Sequence, residues 1–396
     1  MLDPKGKEMK LYTNSKFVDH LLLMVLLITH PFVATFAESK NDRYPIVSDK
    51  KIKNVIIFIG DGMGSPQVTV SSYSKYKTNG SLEIEKMPVV GLVKTHAADD
   101  WITDSASGAT AIATGYKTNV GMVGVTPDSI VKETIFETAI KHGMKTGLVA
   151  TSHITDATPA CFATHVPERG MKNEIAEQLI HSKVNVILAG GLSYFIPQNE
   201  EGSEREDNKN LIEEAQKLGY TFVKDTASFA DVEKGNLIGL FSNGGLSTNP
   251  PEPSLADMTK KALQLVGNSE TGFMLMVEGS QIDWRGHSND LEGVIRQTLL
   301  FDDAVKVGLN FAKENGETLV LVTSDHETGG ITLTGDNRDD DFSFNVKWGT
   351  KGHTGIPVPI YAFGPHAIKF TGILDNTDIY KITSSLLNFN SNVTVK

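Results

Sequence analysis

Val55-Ile56-Ile57-Phe58-Ile59 runs straight into Gly60-Asp61-Gly62-Met63-Gly64. An unbroken apolar run rich in β-branched residues predicts a short strand buried on both faces. Similar runs recur at Gly147 to Ala150, Val186 to Ala189, Leu237 to Phe241, Phe273 to Val277, Leu319 to Val322 and Pro359 to Phe363. Between them lie helical patterns at Ser129 to His142, Lys172 to Ser182, Asn208 to Leu218, Ser254 to Val266, Leu291 to Glu314 and Asp378 to Leu387. This alternation predicts an α/β fold, a three-layer sandwich with helices on both faces of a large, mostly parallel central sheet. No repeat and no Pro/Gly/Ser linker divides residues 38–396, which read as one domain.

The chain has 396 residues, a net charge of -11 and a single cysteine, Cys161. The acidic balance argues against a binder of nucleic-acid phosphate backbones, which needs a basic face. It leaves a small phosphorylated substrate open, because a local metal site outweighs net charge. One cysteine excludes an intramolecular disulfide, and the apolar neighbours of Cys161 suit a buried thiol better than a reactive one. At the N-terminus Lys5, Lys7, Lys10 and Lys16 precede the apolar run Leu21 to Ile28, with small residues at Ala34, Thr35 and Ala37. That is the pattern of a signal peptide covering residues 1–37, with export to the periplasm or medium and no membrane span after cleavage. Gln198 to Asn210 and the acidic stretch Gly335 to Asp341 read as solvated loops; the latter lacks the glycine and distal Glu of an EF-hand.

Ligands of open parallel sheets bind outside the carboxyl ends of the strands. The chemistry-bearing residues fall there: Asp61 after the first strand, Glu278 at the end of the Phe273 run, and Asp325-His326 after the Leu319 run. They form one site if those strands are neighbours. Asp283 and His287 are four apart, hence on one helical face. With His353 they make an Asp/His/His set suited to zinc, and Asp61, Asp325 and His326 make a second. Glu278, Thr158 and a shared Asp61 offer oxygen only, which suits magnesium. Two zinc ions about 4 Å apart would clamp an in-line phosphoryl displacement. Ser105, in Thr103-Asp104-Ser105-Ala106-Ser107-Gly108, stands at a predicted helix start, where the free N–H groups favour negative charge. It is a candidate nucleophile, or a plain N-cap. No Gly-x-Ser-x-Gly elbow surrounds it, and Gly60 to Gly64 lacks the spacing of a dinucleotide loop.

Six stretches resemble, in order, the motif series of alkaline phosphatases: Gly60 to Gly64, Asp104 to Thr110, Asp156-Ala157-Thr158-Pro159-Ala160, Glu278 to Asp283, Asp325-His326-Glu327-Thr328-Gly329-Gly330 and Gly352-His353-Thr354. The resemblance covers roughly residues 52–390. The resemblance implies a homodimeric phosphomonoesterase with two Zn2+, one Mg2+ and a phosphoserine intermediate, turning small phosphomonoesters into inorganic phosphate. It implies Ser105 as nucleophile and Arg169 as the phosphate-gripping arginine. It assigns Asp283, His287 and His353 to one zinc, Asp61, Asp325 and His326 to the other, and Asp61, Thr158 and Glu278 to magnesium, with Asp156 beside it. On its residue type alone, Arg169 reads equally as a surface charge. Position 284 is Trp, as in the compact, cold-adapted bacterial members, whereas an acid at 156 is seen in other bacterial members. A related phosphodiesterase or mutase and a non-catalytic phosphate binder are the rival readings. Ser rather than Thr at 105 argues against the diesterase, and the full ligand set argues against the binder.

Overall fold

The structure, a computed structural model, describes residues 43–46, 50–77, 79–335 and 344–389. Residues 1–37, read from the sequence as a signal peptide, and the acidic stretch from residue 336 onward lie outside the described residues. In chain order the strands are β1 (Asn54–Gly60), β2 (Val89–Lys94), β3 (Lys145–His153), β4 (Val186–Gly190), β5 (Tyr220–Val223), β6 (Asn236–Leu240), β7 (Phe273–Gly279) and β8 (Thr318–Thr323). They continue with β9 (Glu327–Thr328), β10 (Ile331–Thr334), β11 (Asn345–Trp348), β12 (His353–Thr354), β13 (Val358–Phe363) and β14 (Gly372–Asp375). Ten of them form one sheet in the order β14-β2-β13-β8-β1-β7-β3-β4-β6-β5.

β1 lies between β7 and β8, parallel to both. Its side chains alternate between two cores. Val55, Ile57 and Ile59 join the core on one face, Ile56 and Phe58 the core on the other. Each side chain so buried contributes about 1.5–3 kcal/mol. Helices Ser105–Thr114, Ile135–Lys141, Lys172–His181 and Asn376–Leu386 cover the first face. Helices Ser65–Tyr76, Leu255–Val266 and Leu291–Asn315 cover the second. The three layers and the mostly parallel sheet are as the alternation predicts.

Three features differ from the sequence reading. β13 runs antiparallel to both neighbours, β2 and β8. The described residues between β8 and β13 carry only short strands, with no crossover helix among them to return the chain to a parallel start. Second, β2 was not expected, because it alternates instead of forming an apolar run: Val89, Gly91 and Val93 are buried, while Val90, Leu92 and Lys94 face outward. Third, the helix expected over Ser129 to His142 is only Ile135–Lys141. Thr134 and Glu137 close a capping box there, and Val131 upstream bridges to Val125 instead.

The polar Gln198 to Asn210 segment is pinned rather than merely solvated. The Arg205 side chain is fully buried and paired with Glu177 at 2.9 Å and Asp207 at 2.7 Å. Cys161 is buried, its Sγ donating to the Ala106 carbonyl at 3.2 Å, and burial pushes its thiol up to about 12. It is therefore an inert thiol. Among the described residues no helix is long and apolar enough to cross a membrane.

Candidate active site

Adjacency of β8, β1 and β7 brings their carboxyl ends together, which sequence order alone left open. Ile59 is level with Glu278 on one side and Thr323 on the other. Asp61 and the Asp325-His326 pair follow within two or three residues. The reversal of β13 adds a fourth element, because its first residues lie at the carboxyl end of β8. His353, on β12, pairs with Thr328 on β9 just before that start. Gly62 allows the crowding: its φ is +71°, and a Cβ there would stand 2.7 Å from Thr328 Oγ1 and 2.8 Å from the Asp283 backbone.

Two clusters form, each with ligand atoms within 4.8 Å of one another: Asp283, His287 and His353, and Asp61, Asp325 and His326. In the first, His287 Nε2 lies 3.3 Å from Asp283 Oδ2, the two sharing a face of helix Gln281–His287. The Nε2 atoms of His287 and His353 face each other at 3.1 Å. Their Nδ1 atoms are held by the carbonyls of Lys351 at 2.5 Å and Thr103 at 2.8 Å. A carbonyl accepts only, so both Nδ1 carry protons and both Nε2 can offer lone pairs to one point, together with a carboxylate. That is a cation site by donor chemistry, with the outer hydrogen bonds that orient histidine ligands.

In the second cluster Asp325 and His326 are fully buried. His326 Nε2 lies 3.5 Å from Asp61 Oδ1 and 3.3 Å from Asp325 Oδ2, and neither carboxylate oxygen has a hydrogen-bond partner. Orphaned buried carboxylate oxygens are costly unless a cation takes them. The His326 and His353 rings stack at 3.6 Å and so join the clusters. The oxygen-only set is looser. Glu278 is buried, Thr158 Oγ1 is buried without a partner, and Asp156 and Glu278 act on Asp61 as neighbouring negative charges.

Ser105 Oγ stands 3.3 Å from His326 Nε2 and 3.5 Å from Asp61 Oδ2. It is not the N-cap. Asp104 caps the helix, accepting from Ser107 N at 3.0 Å, and Ser105 is the first helical residue. Gly108 lets this helix close on the site, since a Cβ there would meet the Asp325 carbonyl at 3.0 Å. Arg169 is no free surface charge. Its Nη1 donates to Asp104 Oδ2 at 2.9 Å and its Nη2 to Asp156 Oδ1 at 3.1 Å.

Sequence reasoning quoted Asp104, Glu327 and Thr328 only as motif text. Asp104 orients Arg169, and Thr328 Oγ1 donates to Asp283 Oδ1 at 2.5 Å. Glu327 is buried and accepts from Gln67, Gly330 and Thr354, tying the His326 loop to the His353 strand. Arg285, beside Trp284, points to Asp290 at 3.5 Å. Trp284 lies where a Cβ on Gly245 would be, so the Tyr194 to Pro253 stretch packs against the site helix.

The electrostatics record how much negative charge converges. Burial, then Asp325, raises Asp61; burial, then Asp156, raises Glu278 to about 8; burial, then Asp283, raises Asp325 to about 6. Burial lowers His326 to about 4. Burial also disfavours the Asp283 carboxylate, but the His287 hydrogen bond and the His326 charge outweigh it and hold it down at about 2. The same bond to Asp283 lifts His287 to about 9.

Acids raised above their unfolded values of about 4 stabilise the fold fully below about pH 4 and lose that contribution as pH rises through their folded values. His287 acts in the same sense, its contribution being full below about pH 6.5 and lost through about 9. His326 works the other way, its penalty lifting as pH rises from about 4 to 6.5, so the chelated protein is expected to melt progressively lower from about pH 6.5 to 9, with the loss reversed by added divalent cations. Calorimetry on chelated samples checks this; a melting temperature flat or rising over that range would refute the buried-charge account.

The comparisons with known proteins agree with this geometry. The alkaline phosphatase family model matches residues 52–339. Alkaline phosphatase 3 of Bacillus subtilis (strain 168) is 34% identical over 87% of this chain and 91% of its own length. The alkaline phosphatase of Escherichia coli (strain K12) is 34% identical over 84% of this chain and 86% of its own. The solved alkaline phosphatase of the Antarctic bacterium TAB5 is 35% identical, covers 86% of this chain and all of its own, and superposes with a TM-score of 0.79. A variant of that enzyme, with one histidine replaced by aspartate, was solved with Mg bound in its M3 site. This chain belongs to the alkaline phosphatase family.

Proposed function

We propose that this hydrolase cleaves phosphomonoesters through a phosphoserine on Ser105, with zinc held by Asp283, His287 and His353 and by Asp61, Asp325 and His326. Magnesium would sit on Asp61, Thr158 and Glu278, beside Asp156. The donor sets fit: imidazole with carboxylate for zinc, oxygen alone for magnesium. The carrying observation is the meeting of both His-bearing clusters at Ser105, whose Oγ stands 3.3 Å from His326 Nε2. When bound, the ions supply positive charge and Lewis acidity to the phosphoryl oxygens.

The chain's own residues do the rest. Helix Ser105–Thr114 presents its N-terminal N–H groups to the phosphate. Arg169 spends one N–H of each Nη on Asp104 and Asp156 and keeps the others for two phosphoryl oxygens. Ser105 Oγ forms a bond to phosphorus as the ester P–O bond breaks, and the alcohol leaves. Attack by water on the phosphoserine then releases inorganic phosphate and restores Ser105. Metal analysis, with assays on a phosphomonoester and a phosphodiester before and after chelation, tests the reading. Chelation-sensitive hydrolysis favouring the monoester is expected; an enzyme indifferent to chelation, or one favouring the diester, overturns it.

We further infer a homodimer, exported through the signal segment 1–37. Val90 and Leu92 on β2, Ile373 on edge strand β14 and Ile368 nearby are all exposed, an apolar patch of the kind that protein interfaces cover. A monomeric mass by analytical ultracentrifugation would refute the dimer. N-terminal sequencing of the mature protein should begin at Glu38; retention of the first 37 residues would refute export by cleavage.

A further inference from the structure

Beyond the clusters around Ser105 lies a polar group built from three separate elements. His153 ends β3, Lys172 begins helix Lys172–His181, and Tyr194 ends the short turn Leu192–Tyr194. Lys172 Nζ stands 2.9 Å from His153 Nε2, and His153 Nδ1 lies 3.1 Å from Thr155 Oγ1. An ammonium only donates, so Nε2 accepts from Lys172 and the ring proton sits on Nδ1, an assignment made from the partners. The same Nε2 is 3.7 Å from Asp156 Oδ2, beyond hydrogen-bond reach. Tyr194 closes the other side, its ring 5.7 Å from that of His153 and 5.6 Å from the Lys172 ammonium. Arg205 fixes Tyr194 in turn, donating to its carbonyl at 3.0 Å.

A cation at a helix N-terminus opposes the helix dipole, so the place of Lys172 calls for acids nearby. Asp156 is such an acid: burial lowers the Lys172 pKa and Arg169 adds to the shift, while the Asp156 and Glu204 carboxylates oppose it. Asp156 is also one of the two carboxylates that hold the Arg169 guanidinium. If Lys172 did not occupy Nε2, the His153 ring could place its proton there and donate to Asp156 Oδ2, turning the carboxylate away from Arg169.

We propose that Lys172 is a positioning residue for the phosphate grip: by occupying His153 Nε2 it keeps Asp156 turned to Arg169 and the guanidinium aimed. This rests on the reading of Arg169 given above. The Tyr194 segment, which the family motifs leave unexplained, thereby has a role as the wall behind Lys172.

The test measures inorganic phosphate binding to the metal-loaded enzyme by titration calorimetry, alongside kcat, KM and melting temperature. Lys172→Met should raise the phosphate Kd and KM together by about tenfold, with a much smaller change in kcat. Lys172→Arg, which still donates to Nε2, should recover most of the loss. His153→Leu, which removes the competing donor, should leave phosphate binding near the wild-type value, and in the double variant it should restore most of what Lys172→Met loses. An unchanged Kd in Lys172→Met, additive effects in the double variant, or a fall in melting temperature alone would overturn the proposal. Arg169→Ala separates the two readings. If it weakens phosphate binding while Lys172→Met does not, only the positioning role fails; if it has no effect, both fail.

Discussion

Replacing Ser105 by alanine is expected to lower phosphomonoester turnover by at least about 10³-fold. The same change should abolish the acid-stable phosphoenzyme and leave metal content near normal. The local structure is why this variant is clean. Asp104, not Ser105, caps the helix, so the first turn keeps its hydrogen bond to Ser107 N. Ser105 is buried, and alanine fits its place at a cost of about 1 kcal/mol for the lost hydroxyl contacts. The substitution removes the long hydrogen bond from Ser105 Oγ to Asp61 Oδ2 at 3.5 Å. Residual hydrolysis is compatible with the assignment, since water can attack phosphorus directly with Arg169 still in place. Quenching the variant with labelled substrate gives the decision: a phosphoenzyme formed at the wild-type level would sink Ser105 as the nucleophile.

His353→Ala should have the next largest effect. His353 belongs to the cluster with Asp283 and His287, yet its ring also stacks on His326 of the other cluster. The backbone pairing of β12 with β9 survives the substitution, so the loss stays at the side chain. Removing one of three protein ligands should weaken the ion of that cluster at least about 100-fold. On the two-zinc reading proposed above, bound zinc should fall from about two per chain toward one. Under metal just sufficient for the wild type, the lost linkage amounts to as much as about 2.7 kcal/mol. The melting temperature should drop by several degrees accordingly. Elemental analysis of protein dialysed against buffered zinc measures it, and an unchanged zinc count would show that His353 is no ligand.

Much of this site was legible in one dimension because its chemistry is local. Asp283 and His287 are four residues apart, and helix geometry alone puts them on one face. Asp61, Glu278 and Asp325 each sit just beyond an apolar run, and parallel sheets place such residues at a single edge. Arg169 shows the limit. Nothing in its neighbourhood distinguishes a phosphate ligand from a surface charge, and its meaning comes from Asp104 and Asp156, 65 and 13 residues away. The same holds for Lys172, which begins a helix pattern in sequence and stands 2.9 Å from His153 Nε2 in space.

The fold divides in the same way. Periodicity decides whether a segment is a buried strand or an amphipathic helix, because it reports which side chains leave water. It therefore determined the class, the central run at Val55 to Ile59 and most of the helices. It determined the outer strands poorly: β2 shows one face to solvent, and β5 and β14 are short strands at the sheet's two edges. Strand order and direction depend on how connections cross the sheet, which no local pattern records. Only the tertiary structure placed β8, β1 and β7 side by side and turned β13 back on itself. That reversal carries His353 to within 3.1 Å of His287, 66 residues away, and completes a cation site whose parts have no reason to meet until the two faces of the sheet are buried.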